Sequence, residues 1–170
     1  MIEASLDVVQ IAIISDTHMP RGARALPDAC VERLRAADLI LHAGDIATLA
    51  VLDEFKRLGP VIAVHGNVDD ASTRAALPAS IIVQAGAHRI AMIHDAGPAR
   101  NRIARLRQRF DEADAVVFGH SHIPLHERAP SGFQIFNPGS PTEKRRAAHH
   151  TMGIARVGAA GLVFELVELD

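Results

Sequence analysis

The chain is broken into short apolar runs, and the residues that end those runs constrain its fold more than any other feature. Val8–Ile14, Asp38–His42, Val61–His65, Ser80–Gln84, Arg89–Ile93, Ala115–Phe118, Phe133–Phe136, Met152–Val157 and Leu162–Val167 are each closed by Gly, Pro, Asn or Asp. Runs of this length, bounded by turn formers, read as buried strands. Three other segments repeat apolar residues at helical spacing. Pro27–Ala37 carries Cys30, Val31 and Leu34 on one face, and Thr48 caps Leu49–Leu58, which stops at Gly59-Pro60. Ala99–Phe110 sets Ile103, Leu106 and Phe110 opposite a row of arginines, a charge run that reads as solvated surface. The first half alternates strand and helix, which argues for parallel βαβ units in an α/β fold. The later part is mostly strands joined by turns, as in antiparallel additions or a second sheet. The expectation is one domain over 1–170, long enough to bury a core without staples.

Five of the runs end in a residue able to bind a metal. They lead into Ser15-Asp16-Thr17-His18, Ala43-Gly44-Asp45, Gly66-Asn67-Val68-Asp69, His94-Asp95 and Gly119-His120-Ser121-His122. In α/β sheets, sites form beyond the carboxyl ends of strands, so these groups are expected to converge. Glycine directly before Asp45, Asn67 and His120 is read as permitting the sharp turn that aims each side chain. Any one of these clusters is a turn signal as easily as a ligand. Their conjunction at strand ends is not a packing requirement. Imidazole with carboxylate suits Mn, Fe, Ni or Zn, whereas Mg or Ca prefer an all-oxygen set. Asp16, His18, Asp45, Asn67, His94, His120 and His122 are too many ligands for one tetrahedral ion and suit two ions sharing a carboxylate.

Composition removes several other functions. A net charge of −2 with pI near 6.5 leaves no electrostatic footprint for nucleic acid or anionic membrane. Aromatics are only 4% of residues, with no Trp or Tyr, so stacking platforms for single strands are lacking. Cys30 is the one cysteine, which excludes an internal disulfide and points to a reducing compartment. With no signal-peptide pattern and no run approaching the ~20 apolar residues of a span, a cytoplasmic protein is expected. A homo-oligomer is compatible with this composition, but no residue locates its interface.

Asp16-x-His18, Gly44-Asp45, Gly66-Asn67-x-Asp69, His94 and Gly119-His120-Ser121-His122 resemble the blocks of the calcineurin-like metallophosphoesterases. The length, Gly-His-Ser-His-Ile-Pro (119–124) and Asn137-Pro138-Gly139-Ser140 resemble the small YfcE-like phosphodiesterase group in particular. The resemblance covers about Val8 to Val157 and implies two mixed β-sheets packed as a sandwich with flanking helices. It also implies that Asp16, His18 and His122 hold one ion, that Asn67, His94 and His120 hold a second, and that Asp45 bridges them. Asp45, Asn67 and Asp69 are the residues it assigns to catalysis, Asp69 by orienting the Asn67 loop or a neighbouring imidazole.

Three positions depart from the pattern. Val68 stands where many relatives carry a histidine after Gly-Asn; Asp95-Ala96 replaces Gly-His after His94; and Pro141–Arg145 lacks the usual Pro-Arg, which argues against a phosphate-binding role for Arg145. The function implied is hydrolysis of small phosphodiesters by metal-bridged hydroxide, with two divalent ions, manganese first among them. Without an imidazole at position 68, a diester monoanion is favoured over a monoester dianion. The alternatives are a phosphomonoesterase with the same site and a non-catalytic protein-binding scaffold of the same fold. Of the remaining histidines, His42 and His65 read as core or supporting residues, and His88, His126, His149 and His150 as turn or surface residues.

Overall fold

The computed structural model describes residues 2–3 and 10–170. The strands are β1 (Ile2–Glu3), β2 (Gln10–Ile14), β3 (Leu39–His42), β4 (Val61–Ala63), β5 (Ser80–Ala85), β6 (His88–Ile93), β7 (Ala115–Val117), β8 (Leu125–Arg128), β9 (Gln134–Asn137), β10 (Thr151–Gly158) and β11 (Gly161–Glu168). The helices are α1 (Asp28–Ala36), α2 (Leu49–Lys56), α3 (Ala71–Ala76) and α4 (Arg102–Arg109). One sheet runs β1-β5-β6-β7-β9-β8 and the other β11-β10-β2-β3-β4. In the second sheet β2, β3 and β4 are parallel, with Ile11 opposite Leu39 and Ile40 opposite Val61, and β10 joins β2 antiparallel. In the first, β6, β7 and β9 are parallel while β5 and β8 pair antiparallel with β6 and β9. Both sheets are therefore mixed around a parallel centre.

Both faces of the central strands are buried, which is why they read as continuous apolar runs. Ile11, Ile13 and Leu41 meet Ile90, Met92 and Val117 between the sheets. The alternate residues Ala12, Ile14 and Ile40 pack under Cys30 and Leu34 of α1 and Phe55 of α2. On the opposite side Ala91, Val116 and Ile135 pack against Leu106 and Phe110 at α4. Each of the Ile, Leu, Val, Met and Phe side chains among these contributes about 1.5–3 kcal/mol of burial. The layering is helix, sheet, sheet, helix, the sandwich with flanking helices that the resemblance implied.

The elements match the expected runs with shifts at their ends, and Val8 and Val9 lie outside the described residues. Thr48 does cap α2, its Oγ1 accepting from Val51 N at 3.3 Å. Besides the two-residue β1, two elements had no periodic signal. β8 buries none of its residues fully, and α3 is six residues with only Thr73 buried, started by Asp70 accepting from Thr73 N at 2.8 Å. The arginine row of α4 is more than solvated surface. Arg102, Arg105 and Arg107 donate to the carbonyls of Gly97, Ala96 and Ala113, and Arg102 and Arg107 lie over the Phe118 and Phe133 rings. No described helix is long and apolar enough to cross a membrane.

Candidate metal centre

The loops leaving β2, β3, β4, β6 and β7 meet at one end of the sandwich. Their backbone is unusual at the residues singled out from sequence. Asp16, His18, Asp45, His120 and His122 all have left-handed φ, of 57°, 46°, 58°, 70° and 60°. For residues with a Cβ this costs about 1–3 kcal/mol apiece, and such strain clusters at functional sites. Loop-to-loop hydrogen bonds hold it: Asp16 N to Gly44 O at 3.0 Å, His18 N to Asp45 O at 3.1 Å, Gly119 N to His94 O at 2.9 Å, and Ser140 Oγ to Asp16 O at 2.8 Å.

The preceding glycines serve different needs from the one expected. Only Gly44 takes positive φ, at 95°. At Gly66 an added Cβ meets Asp45 Oδ1 at 2.0 Å, and at Gly119 it meets Ser15 Oγ at 1.9 Å. Those two are glycine because the acidic loops press against them, not because of a turn.

Two groups of ligand atoms result. Asp16, His18 and His122 are fully or almost fully buried, with His18 Nε2 and His122 Nε2 3.2 Å apart and Asp16 Oδ1 3.4 Å from His122 Nε2. In the second group, Asn67 Oδ1 lies 3.1 Å from His94 Nε2 and 3.0 Å from His120 Nδ1. Asp45 stands between the groups, its Oδ2 3.6 Å from His18 Nε2 and 3.2 Å from His94 Nε2. All seven residues are thus brought together. Asp16 reaches both groups too, its Oδ1 4.0 Å from His94 Nε2.

Neighbouring residues aim these ligands. His94 Nδ1 donates to Ala43 O at 2.7 Å and His122 Nδ1 to Glu143 O at 2.6 Å, which turns each Nε2 into the centre. Ser15 Oγ donates to Asp16 Oδ2 at 2.7 Å, and His120 N–H is shared between Oδ2 at 2.9 Å and Oδ1 at 3.2 Å, which fixes the carboxylate with Oδ1 toward the centre. Val68 offers nothing from its side chain, but its N–H donates to Asp45 Oδ1 at 3.0 Å. His42 is buried under the turn: its Nδ1 accepts from Gly44 N at 3.2 Å, so its Nε2 donates to Thr17 Oγ1 at 3.0 Å.

Asp69 clamps two of the loops together. Its two carboxylate oxygens each accept at 2.7 Å, from Ala47 N and Gly66 N, tying the Asp45 loop to the Asn67 loop. Asp95 caps its own turn by accepting from Gly97 N at 2.8 Å. Glu143 escaped the sequence reading. Besides orienting His122, its carboxylate lies 3.9 Å from His18 Nε2 and pairs with Arg24 at 3.1 Å. Nothing in Pro141–Arg145 beyond a carboxylate near a known block signals this.

The electrostatics fit a cation. Two carboxylates, 0% and 2% exposed, are buried here with no Lys or Arg partner among the described residues, only histidines. Burial pushes the Asp16 carboxyl up to about 7, against the lowering pull of His94 and Ser15. Burial also opposes charge on His94, but its hydrogen bond to Asp45 and the Asp16 charge prevail and raise it to about 9. Burial lowers His122 to about 4 and His18 below its usual value. Without metal, a proton on His94 therefore stands where a cation would, while burial disfavours a proton charge on His18 and His122. That donor set, with imidazole, carboxylate and amide oxygen, fits divalent transition ions.

Comparison with known proteins agrees with this geometry. The profile of the calcineurin-like phosphoesterase superfamily domain matches residues 9–159. A probable metallophosphoesterase of Methanothermobacter thermautotrophicus is 34% identical over 159 residues, covering 92% of this chain and 91% of that protein. The solution structure of a Thermotoga maritima protein superposes with a TM-score of 0.75 at 27% identity, over 95% of this chain and all (100%) of that one. Vps29 of Entamoeba histolytica, solved in complex with zinc, shares the fold with a TM-score of 0.75 at 20% identity, over 95% and 99% of the two chains. With its strand-end ligands gathered in one centre and the match running along most of its length, the chain belongs to the calcineurin-like phosphoesterase superfamily, a metal-dependent family.

Proposed function

We propose that the protein is a binuclear metal-dependent phosphodiesterase acting on small phosphodiesters. Asp16, His18 and His122 hold one divalent ion, Asn67, His94 and His120 hold the other, and Asp45 bridges them. The observation that carries this reading is the place of Asp45 Oδ2, 3.6 Å from a ring nitrogen of one group and 3.2 Å from a ring nitrogen of the other. The mixed nitrogen and oxygen donors favour manganese, with iron, nickel or zinc as alternatives.

When bound, such a pair of ions lowers the pKa of a water toward neutrality and neutralises charge on phosphoryl oxygens. The chain's own residues orient and exclude. Asp45 is fixed by Val68 N–H, Asp16 by Ser15 and His120 N–H, and the two deep histidines by their burial. Asn67 and His120 are exposed, so substrate approaches from their side. Val68, 39% exposed on that rim, supplies neither a proton nor a cation to a leaving group. A diester monoanion with a good leaving group tolerates that lack better than a monoester dianion. The test compares bis(p-nitrophenyl) phosphate with p-nitrophenyl phosphate in the presence of Mn²⁺. Faster turnover of the diester is expected, and faster turnover of the monoester refutes the assignment.

A further inference from the structure

Beside the open half of the centre lies a cavity of about 260 Å³ whose end wall includes Asn67, His94 and His120. The rest of its lining includes His65, Arg74, Ile93, Ala79 and Asp95, none of which has a part in holding the ions. His65 Nδ1 is buried and meets no hydrogen-bond partner. With no acceptor at Nδ1, the hydrogen of the neutral ring is assigned to Nε2, which makes His65 a donor among the residues that line the cavity. The Arg74 guanidinium, carried on α3, has no ion pair or hydrogen-bond partner among the described residues. Asp95 gives one oxygen to Gly97 N at 2.8 Å and keeps the other as an acceptor. Ile93 and Ala79 add apolar surface to the lining.

The charges of Arg74 and Asp95 offset each other, so the cavity is not arranged for a second anion. Donors and an acceptor together in the lining suit hydroxyls, which donate and accept at once. The cavity's volume lies below the roughly 300–1,000 Å³ of drug-sized pockets, which limits the occupant to a small group.

We propose that this cavity seats a small hydroxylated arm, of glycerol or monosaccharide size, of the diester cleaved at the metal centre. Arg74 and His65 donate to its hydroxyls and Asp95 accepts from them. The inference rests on the phosphodiesterase reading, and its test separates the two. Manganese-loaded protein is assayed on glycerophosphoethanolamine and on bis(p-nitrophenyl) phosphate, which has no hydroxyl on either arm. Arg74→Ala and Asp95→Asn are each expected to lower the ratio of kcat/KM for the first substrate over the second about tenfold, mainly through KM. An unchanged ratio overturns the proposal. If the wild type cleaves neither diester with Mn, Fe, Ni or Zn, the phosphodiesterase reading fails, and calorimetric binding of glycerol 3-phosphate judges the cavity alone. Binding weakened about tenfold by Arg74→Ala supports the seat, and equal binding in wild type and variant overturns it.

Discussion

The two halves of the metal centre use similar donors and differ in their surroundings. Asp16, His18 and His122 are 0%, 4% and 0% exposed, and the Arg24–Glu143 pair lies beside His18. Asn67 and His120 are exposed, and with His94 they border the cavity. A buried ligand set binds an ion tightly and exchanges it slowly. An open set leaves room for substrate oxygens. On the proposed reading, the deep half would retain metal and the open half would meet the ester.

That contrast predicts unequal consequences, the largest at the deep half. His122→Ala is expected to reduce bis(p-nitrophenyl) phosphate turnover to background and to cost the tighter of two ions in a metal titration. Turnover near wild type breaks the assignment. Asp69→Asn leaves one backbone N–H of the clamp without its acceptor, and the open-half ion is expected to bind about 10–100-fold more weakly. Equal weakening of both ions in the same titration contradicts the stronger dependence of the open half on this clamp.

The pH dependence separates metal-free from loaded protein. A histidine whose folded pKa is raised stabilises the fold fully below its ordinary value near 6.5, and that contribution is lost as pH rises through the folded value. For His94 the folded value is about 9, so metal-free protein is expected to lose thermal stability between pH 7 and 9. Loading releases that proton, so the rise in Tm on adding Mn²⁺ is expected to grow over the same interval. A metal-induced shift that shrinks as pH rises from 7 to 9 contradicts this. The smallest effect is expected at Val68. Val68→His adds a donor to the open rim and raises monoester turnover relative to diester turnover by roughly threefold to tenfold; an unchanged ratio places position 68 away from the leaving group.

Much of this was legible in sequence because it depends on local pattern. The central strands declare themselves through apolar runs buried on both faces, and the ligands sit where those runs stop. What escaped depends on tertiary context. α3 has no apolar face and rests on the Asp70 cap, and β8 is recruited by pairing with β9. Gly66 and Gly119 look like turn residues, yet the space they leave is filled by Asp45 and Ser15 from other loops. Glu143 lies 21 residues from the His122 it orients, and no spacing rule links them. Left-handed φ at Asp16, His18, Asp45, His120 and His122 is likewise invisible in sequence, because only packed loops hold it.

The central claim is that one carboxylate, Asp45, joins two ions. Metal content per chain, measured after manganese loading and gel filtration of wild type and Asp45→Ala, tests it most directly. Two ions in the wild type and at most one in the variant are predicted. Two ions retained in Asp45→Ala contradict the account.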